Sequence, residues 1–90
     1  MKYRKKPIEV EAFRLGHDLI PSWFNEKVSS GDVTLVINLV GDITRCGIKT
    51  LEGVMTAEAG DFVIKGVKGE LYPCKADIFY ETYEPAEETN

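Results

Sequence analysis

Apolar and polar residues alternate most cleanly near the start of the chain, where Ile8, Val10 and Ala12 are separated by Glu9 and Glu11. A period of two marks a strand with one covered face, and Pro7 is placed to open it. Phe13 and Leu15 leave that register, so the strand is expected to bulge or end near Arg14. The period then lengthens. Ile20, Trp23, Phe24 and Val28 fall at helical spacing and predict one short helix over about residues 19–28. Asp18 is its expected cap, Pro21 belongs to its first turn, and Ser29-Ser30-Gly31 stops it.

Residues 33–40 are apolar at nearly every position and rich in β-branched side chains. Such a run predicts a central strand covered on both faces. Gly41-Asp42 then reads as a two-residue hairpin turn into a strand over residues 43–51. That turn would set Val40 opposite Ile43, Ile37 opposite Cys46 and Leu35 opposite Ile48. One face would then carry Val33, Leu35, Ile37, Leu39, Cys46 and Ile48 as core. Glu52-Gly53 predicts a second tight turn into a short strand at Val54-Met55-Thr56, and Ala57-Glu58-Ala59 fits neither period.

From Gly60 to Lys75, turn residues at both ends and in the middle enclose apolar stretches, the pattern of a β-hairpin with Gly66-Val67-Lys68-Gly69 as its loop. A four-residue loop pairs Lys65 with Glu70 and Ile64 with Leu71. Phe62, Ile64, Leu71 and Pro73 would share one face; Val63, Lys65, Glu70, Tyr72 and Cys74 would share the other. Residues 75–82 predict a short helical turn anchored by Ile78 and Phe79. The expected fold is therefore one α+β domain. A strongly bent, mostly antiparallel sheet of about six strands, open or barrel-like, packs against one N-terminal helix and a short C-terminal helical turn. The domain should span residues 7–84, between a basic arm at 1–6 and an acidic tail at 85–90.

The hairpin resembles the C-terminal core of a family of small uncharacterised phage and prophage proteins. Their ending reads as a Gly-Asp strand, a Lys-Gly turn, a Gly-Glu-x-Tyr-Pro-Cys-Lys strand, then Asp-x-Phe and Thr-Tyr. Here those positions are Gly60-Asp61, the Lys65-Gly66 turn, Gly69 to Lys75, Asp77 to Phe79 and Thr82-Tyr83. Lys2 to Ala12 and Ile48 to Gly53 resemble the family's opening and middle. Ala76 stands where proline is common, and Ala59 differs from the residue that often precedes Gly-Asp. The resemblance implies a phage or prophage product made in the cytoplasm of a bacterial host. It implies no activity, cofactor or catalytic residue.

Composition narrows the chemistry further. Ninety residues, 43% hydrophobic and 29% charged, suit one globular domain. No segment is long and apolar enough to span a bilayer, and no signal-peptide pattern opens the chain. The net charge of −4 argues against a broad nucleic-acid-binding surface. Charge is nevertheless segregated: Lys2, Arg4, Lys5 and Lys6 lie at one end, and Glu81, Glu84, Glu87 and Glu88 at the other. Cys46 and Cys74 form no CxxC pair and His17 is the only histidine, so no zinc pattern is available and no metal is expected. Both cysteines are expected to be reduced and partly buried. His17-Asp18 reads as a turn and cap before it reads as an acid–base pair, and no nucleophile motif is present.

These features favour a non-enzymatic accessory protein, without a cofactor, that binds a host or phage protein. The alternative is a binder of an anionic metabolite or nucleotide. The candidate binding residues are Lys65, Lys68, Glu70, Tyr72 and Lys75 on the hairpin, where lysines near an aromatic ring suit an anion, and Trp23 as the centre of an exposed apolar patch. Association of copies through a sheet edge is a further expectation of a small β-rich chain.

Overall fold

A computed structural model describes residues 1–4 and 6–86; Lys5 of the expected basic arm, and Glu87 and Glu88 of the expected tail, lie outside them. The chain runs β1 (Glu11–Arg14), α1 (Ser22–Ser30), β2 (Val33–Ile37), β3 (Ile43–Thr50), β4 (Gly53–Glu58), β5 (Phe62–Lys65), β6 (Leu71–Cys74) and α2 (Ala76–Thr82). This is the α+β class the pattern predicts. The strands do not form one bent sheet or a closed barrel, however. They form two antiparallel sheets of three, in the orders β1-β5-β6 and β2-β3-β4.

The first strand begins later than the alternation suggests. Its pairing with β5 sets Glu11 opposite Lys65, Ala12 opposite Ile64, Phe13 opposite Val63 and Arg14 opposite Phe62. β5 ends at Lys65, so the residues before Glu11 have no strand to meet. Phe13 and Leu15 therefore take the buried positions while Ile8 stays exposed. The Phe13 ring lies edge-on to Phe24 at 4.8 Å and to Trp23 at 5.7 Å, which fastens α1 over the core.

Helix α1 also starts later than expected. Pro21 occupies the N-cap position with extended geometry and Leu19 and Ile20 lie outside the helix. Asp18 is not the cap, because its carboxylate accepts the Arg14 backbone N–H at 2.8 Å. The helix closes at Gly31, whose φ of +86° is the left-handed C-terminal geometry that glycine adopts without a Cβ penalty.

In the second sheet β3, not β2, is central. The register differs from the expected one: Ile37 faces Ile43, Leu35 faces Cys46 and Val33 faces Ile48, with an irregularity between Val36 and Ile37. Asn38 is the cause. Its side-chain Oδ1 accepts the N–H groups of Val40 and Asp42, and its own N–H donates to the Asp42 carbonyl. Those bonds close residues 38–42 into a wider loop than Gly41-Asp42 alone requires. Val33, Cys46 and Ile48 are core as predicted, but Ile37 and Leu39 are not. The β3–β4 turn lies at Leu51-Glu52, since Thr50 pairs with Gly53, and β4 extends through the ambiguous Ala57 and Glu58.

Strand β5 takes the doubly covered position that residues 33–40 were expected to fill. Val63 joins Phe13, Leu15, Phe24, Cys46 and Ile48 in the core between the sheets. Phe62 and Ile64 are buried on the opposite face. There the Phe79 ring of α2 stacks on Phe62 at 3.8 Å, so Phe79 anchors α2 while Ile78 remains exposed.

Candidate functional site

The β5–β6 hairpin is shifted by one residue from the expected pairing. Lys65 faces Leu71, Ile64 faces Tyr72 and Val63 faces Pro73. With a side-chain period of two, that shift moves every β6 side chain to the other face. Glu70 is the reason. It does not pair with Lys65 but belongs to the loop, where its carbonyl accepts the Gly66 N–H at 2.8 Å and its carboxylate accepts the Lys68 N–H at 3.0 Å. A Cβ at Gly66 would run into the Glu70 carboxylate, so glycine there lets Glu70 fold back over the turn.

The candidate residues consequently separate. Lys65 lies on the Val63 face and Tyr72 on the Ile64 face. Lys68 sits exposed in the loop. Lys75 lies past the far end of β6, where its Nζ reaches 3.1 Å from Asp61 Oδ2. β6 spans four residues, about 13 Å at strand rise, which keeps Lys75 from the loop lysine. Trp23 is half-buried, its ring edge-on to the touching pair Phe13 and Phe24.

Other side chains have structural duties that composition could not reveal. Asp61 is buried, and its carboxylate accepts the Glu58 N–H at 2.9 Å as well as Lys75. Tyr72 and Tyr83 place their hydroxyls 3.3 Å apart. Burial, then the Tyr83 hydrogen bond, push the Tyr72 phenol up to about 12. Both cysteines are free thiols. Burial pushes Cys46 up to about 11, and burial with the Asp61 and Asp77 charges raises Cys74. None of this resembles an activated nucleophile, which needs a depressed pKa.

Among the described residues, two apolar surfaces bear on binding. One is a cleft of about 550 Å³ lined from both sheets, with Val33, Ile48, Met55 and Leu71 along it and Lys27, Lys49, Asp32, Glu52 and Glu70 as its charged lining. The other is the β2–β3 hairpin. Leu39 and Val40 are 106% and 81% exposed, and the neighbouring Ile37 and Val36 are 54% and 46% exposed. Residues 33–41 contain no charged side chain. Hydropathy alone places this segment in the core. The signal it passes over is Asn38, whose turn chemistry ends the strand before Leu39.

Comparison of the chain with protein-family models, curated proteins and solved structures finds no match. Among the described residues no helix is long and apolar enough to cross a membrane.

Proposed function

We propose that this protein is a non-enzymatic phage or prophage accessory protein that binds a host or phage protein through the tip of the β2–β3 hairpin. The observation that carries the reading is the exposure of Leu39 and Val40 in an uncharged loop. Their burial by a partner would recover apolar surface that folding leaves in water, at about 25 cal/mol per Å². The resemblance of residues 60–83 to phage proteins supports the setting. Tagged protein should recover a specific partner from bacterial or phage-infected lysate, and Leu39→Lys/Val40→Lys should lose it while keeping its circular dichroism spectrum. Recovery of no specific partner, or equal recovery by the variant, contradicts this reading.

The inter-sheet cleft favours a second reading, an anionic small molecule with an apolar body. Its volume lies within the range of about 300–1,000 Å³ typical of ligand sites, and Lys27 and Lys49 line it beside Asp32, Glu52 and Glu70, so an anion would have to be held by the two lysines against three carboxylates. A panel of nucleotides and organic anions at millimolar concentration should then raise the melting temperature. A flat response across the panel ends that reading.

A further inference from the structure

The four strands at the sheet margins are not equally open. Backbone groups in an antiparallel ladder alternate between the neighbouring strand and the free edge, and hydrogen bonds at the strand ends fix the phase. Leu15 N–H donates to Asp61 O at 2.9 Å, so Arg14 turns its own groups outward on β1. That outward N–H is already held by Asp18 Oδ2, and the Arg14 carbonyl accepts from His17 and Asp18. On β6 the Gly66–Glu70 bond turns Leu71 and Pro73 outward, and proline has no N–H to offer. β4 packs beside β6 and carries Glu58 at an outward position, set by the Ala59 N–H to Thr44 O bond.

β2 has no such protection at any of its outward positions, whereas on β1 and β4 only Ala12, and Val54 with Thr56, are left open. Lys49 N–H donates to Asp32 O at 2.9 Å, which directs Thr34 and Val36 toward β3 and Val33, Leu35 and Ile37 outward. Among the described residues, no loop, turn or side-chain hydrogen bond takes the N–H of those three. The strand contains no proline and no charge, the composition that adds strands most readily.

We infer that the β2 edge pairs antiparallel with β2 of a second copy of this chain, about a two-fold axis through Leu35. The occupant follows from self-complementarity. With that centre, the three outward residues become the hydrogen-bonded pairs: Leu35 with Leu35, and Val33 with Ile37 of the second copy. Thr34 and Val36 then meet as the non-hydrogen-bonded pair on the outer face. Apolar side chains oppose apolar ones along the inner face. The uncharged run from residue 33 to 41 is also where two chains of net charge −4 can approach without like charges meeting. Two three-stranded sheets become one of six, and two-fold pairing closes the assembly, leaving no repeat of the β2 edge for a filament. The inference goes beyond partner binding, because Leu39 and Val40 lie past the paired strand.

Sedimentation equilibrium of the full chain should show a reversible dimer. Val36→Lys/Ile37→Lys should weaken it by at least about tenfold in dissociation constant. Register is read separately by mixing two single variants, Thr34→Cys and Val36→Cys, because opposed non-hydrogen-bonded positions lie about 4.5 Å apart, inside the roughly 4.4–6.8 Å that a disulfide spans. The mixture should cross-link under mild oxidation, and each variant alone should not. A monomer at all accessible concentrations, a dimer indifferent to the edge substitutions, or cross-linking as efficient in either single variant as in the mixture overturns the inference. If the double-lysine variant misfolds, the cross-linking pattern decides alone. Leu39→Lys/Val40→Lys should leave the dimer intact, so failure of partner capture and failure of dimerisation are read independently.

Discussion

Single side chains decide where the turns of this protein close. Asn38 and Glu70 do so by bonding backbone N–H groups with their side chains, and each displaces a register that glycine positions alone would set otherwise. Asp18 leaves its expected capping role to seal the β1 edge, and Asp61 joins the β4–β5 turn to Lys75. The buried Cys46 and the hydrogen-bonded Tyr72 have a consequence for pH dependence. Their folded pKa values, about 11 and about 12, stand above the ordinary 9.0 and 10.0. Between the unfolded and folded values the native state binds more protons, so stability falls as pH rises. Their contribution is complete below pH 9. It is lost as pH climbs from 9 through 11 for Cys46 and from 10 through 12 for Tyr72. Urea midpoints measured across this window should decline, and Cys46→Ala should flatten the first part of the decline. A native protein whose midpoint is constant to pH 11 would contradict the burial assigned to Cys46.

At the scale of elements, period and composition were legible and pairing was not. The helix at α1, the hairpin at β5–β6 and the turn of helix at α2 all stand close to where their spacing puts them. The central strand was misassigned because hydropathy reports how much a segment avoids water, and an interaction edge and a core strand share that property. The residues 33–37 have the composition of a buried strand and lie at a margin; residues 62–65 are shorter and lie in the middle. The candidate lysines were grouped by sequence proximity, but a one-residue shift of the hairpin parts Lys65 from Tyr72. Helix α2 depends on one ring more than on its whole face. Phe79 stacks between Phe62 and Tyr83, at 3.8 and 5.0 Å. Phe79→Ala should therefore cost about 1–2 kcal/mol in global stability and speed amide exchange through residues 76–83. The same truncation at Ile78, which is exposed, should stay within about 0.5 kcal/mol. Equal losses at the two positions would mean that α2 docks on a different face.

At the scale of the whole molecule, folding accounts for most of the features that first suggested a site. Glycines shape turns, Tyr72 meets Tyr83, Lys75 neutralises Asp61, and Trp23 helps to hold α1. The β2–β3 hairpin is different: its base supplies Val33, Cys46 and Ile48 to the core, but Ile37, Leu39 and Val40 toward its tip stay exposed, and its outer edge has no ladder partner among the described residues. Asp18 blocks part of the β1 edge and Pro73 part of the β6 edge, and among the described residues no such group acts along β2. We propose that this hairpin, and not the lysine and tyrosine positions of residues 65–75, carries recognition. The most direct measurement is a parallel capture by three forms of the tagged chain: native, Leu39→Lys/Val40→Lys, and Lys65→Ala/Lys68→Ala. The native protein and the Lys65/Lys68 variant should recover the same partner, and the Leu39/Val40 variant should not. Loss of the partner only in the Lys65/Lys68 variant would return recognition to the β5–β6 hairpin and contradict a role for Leu39 and Val40.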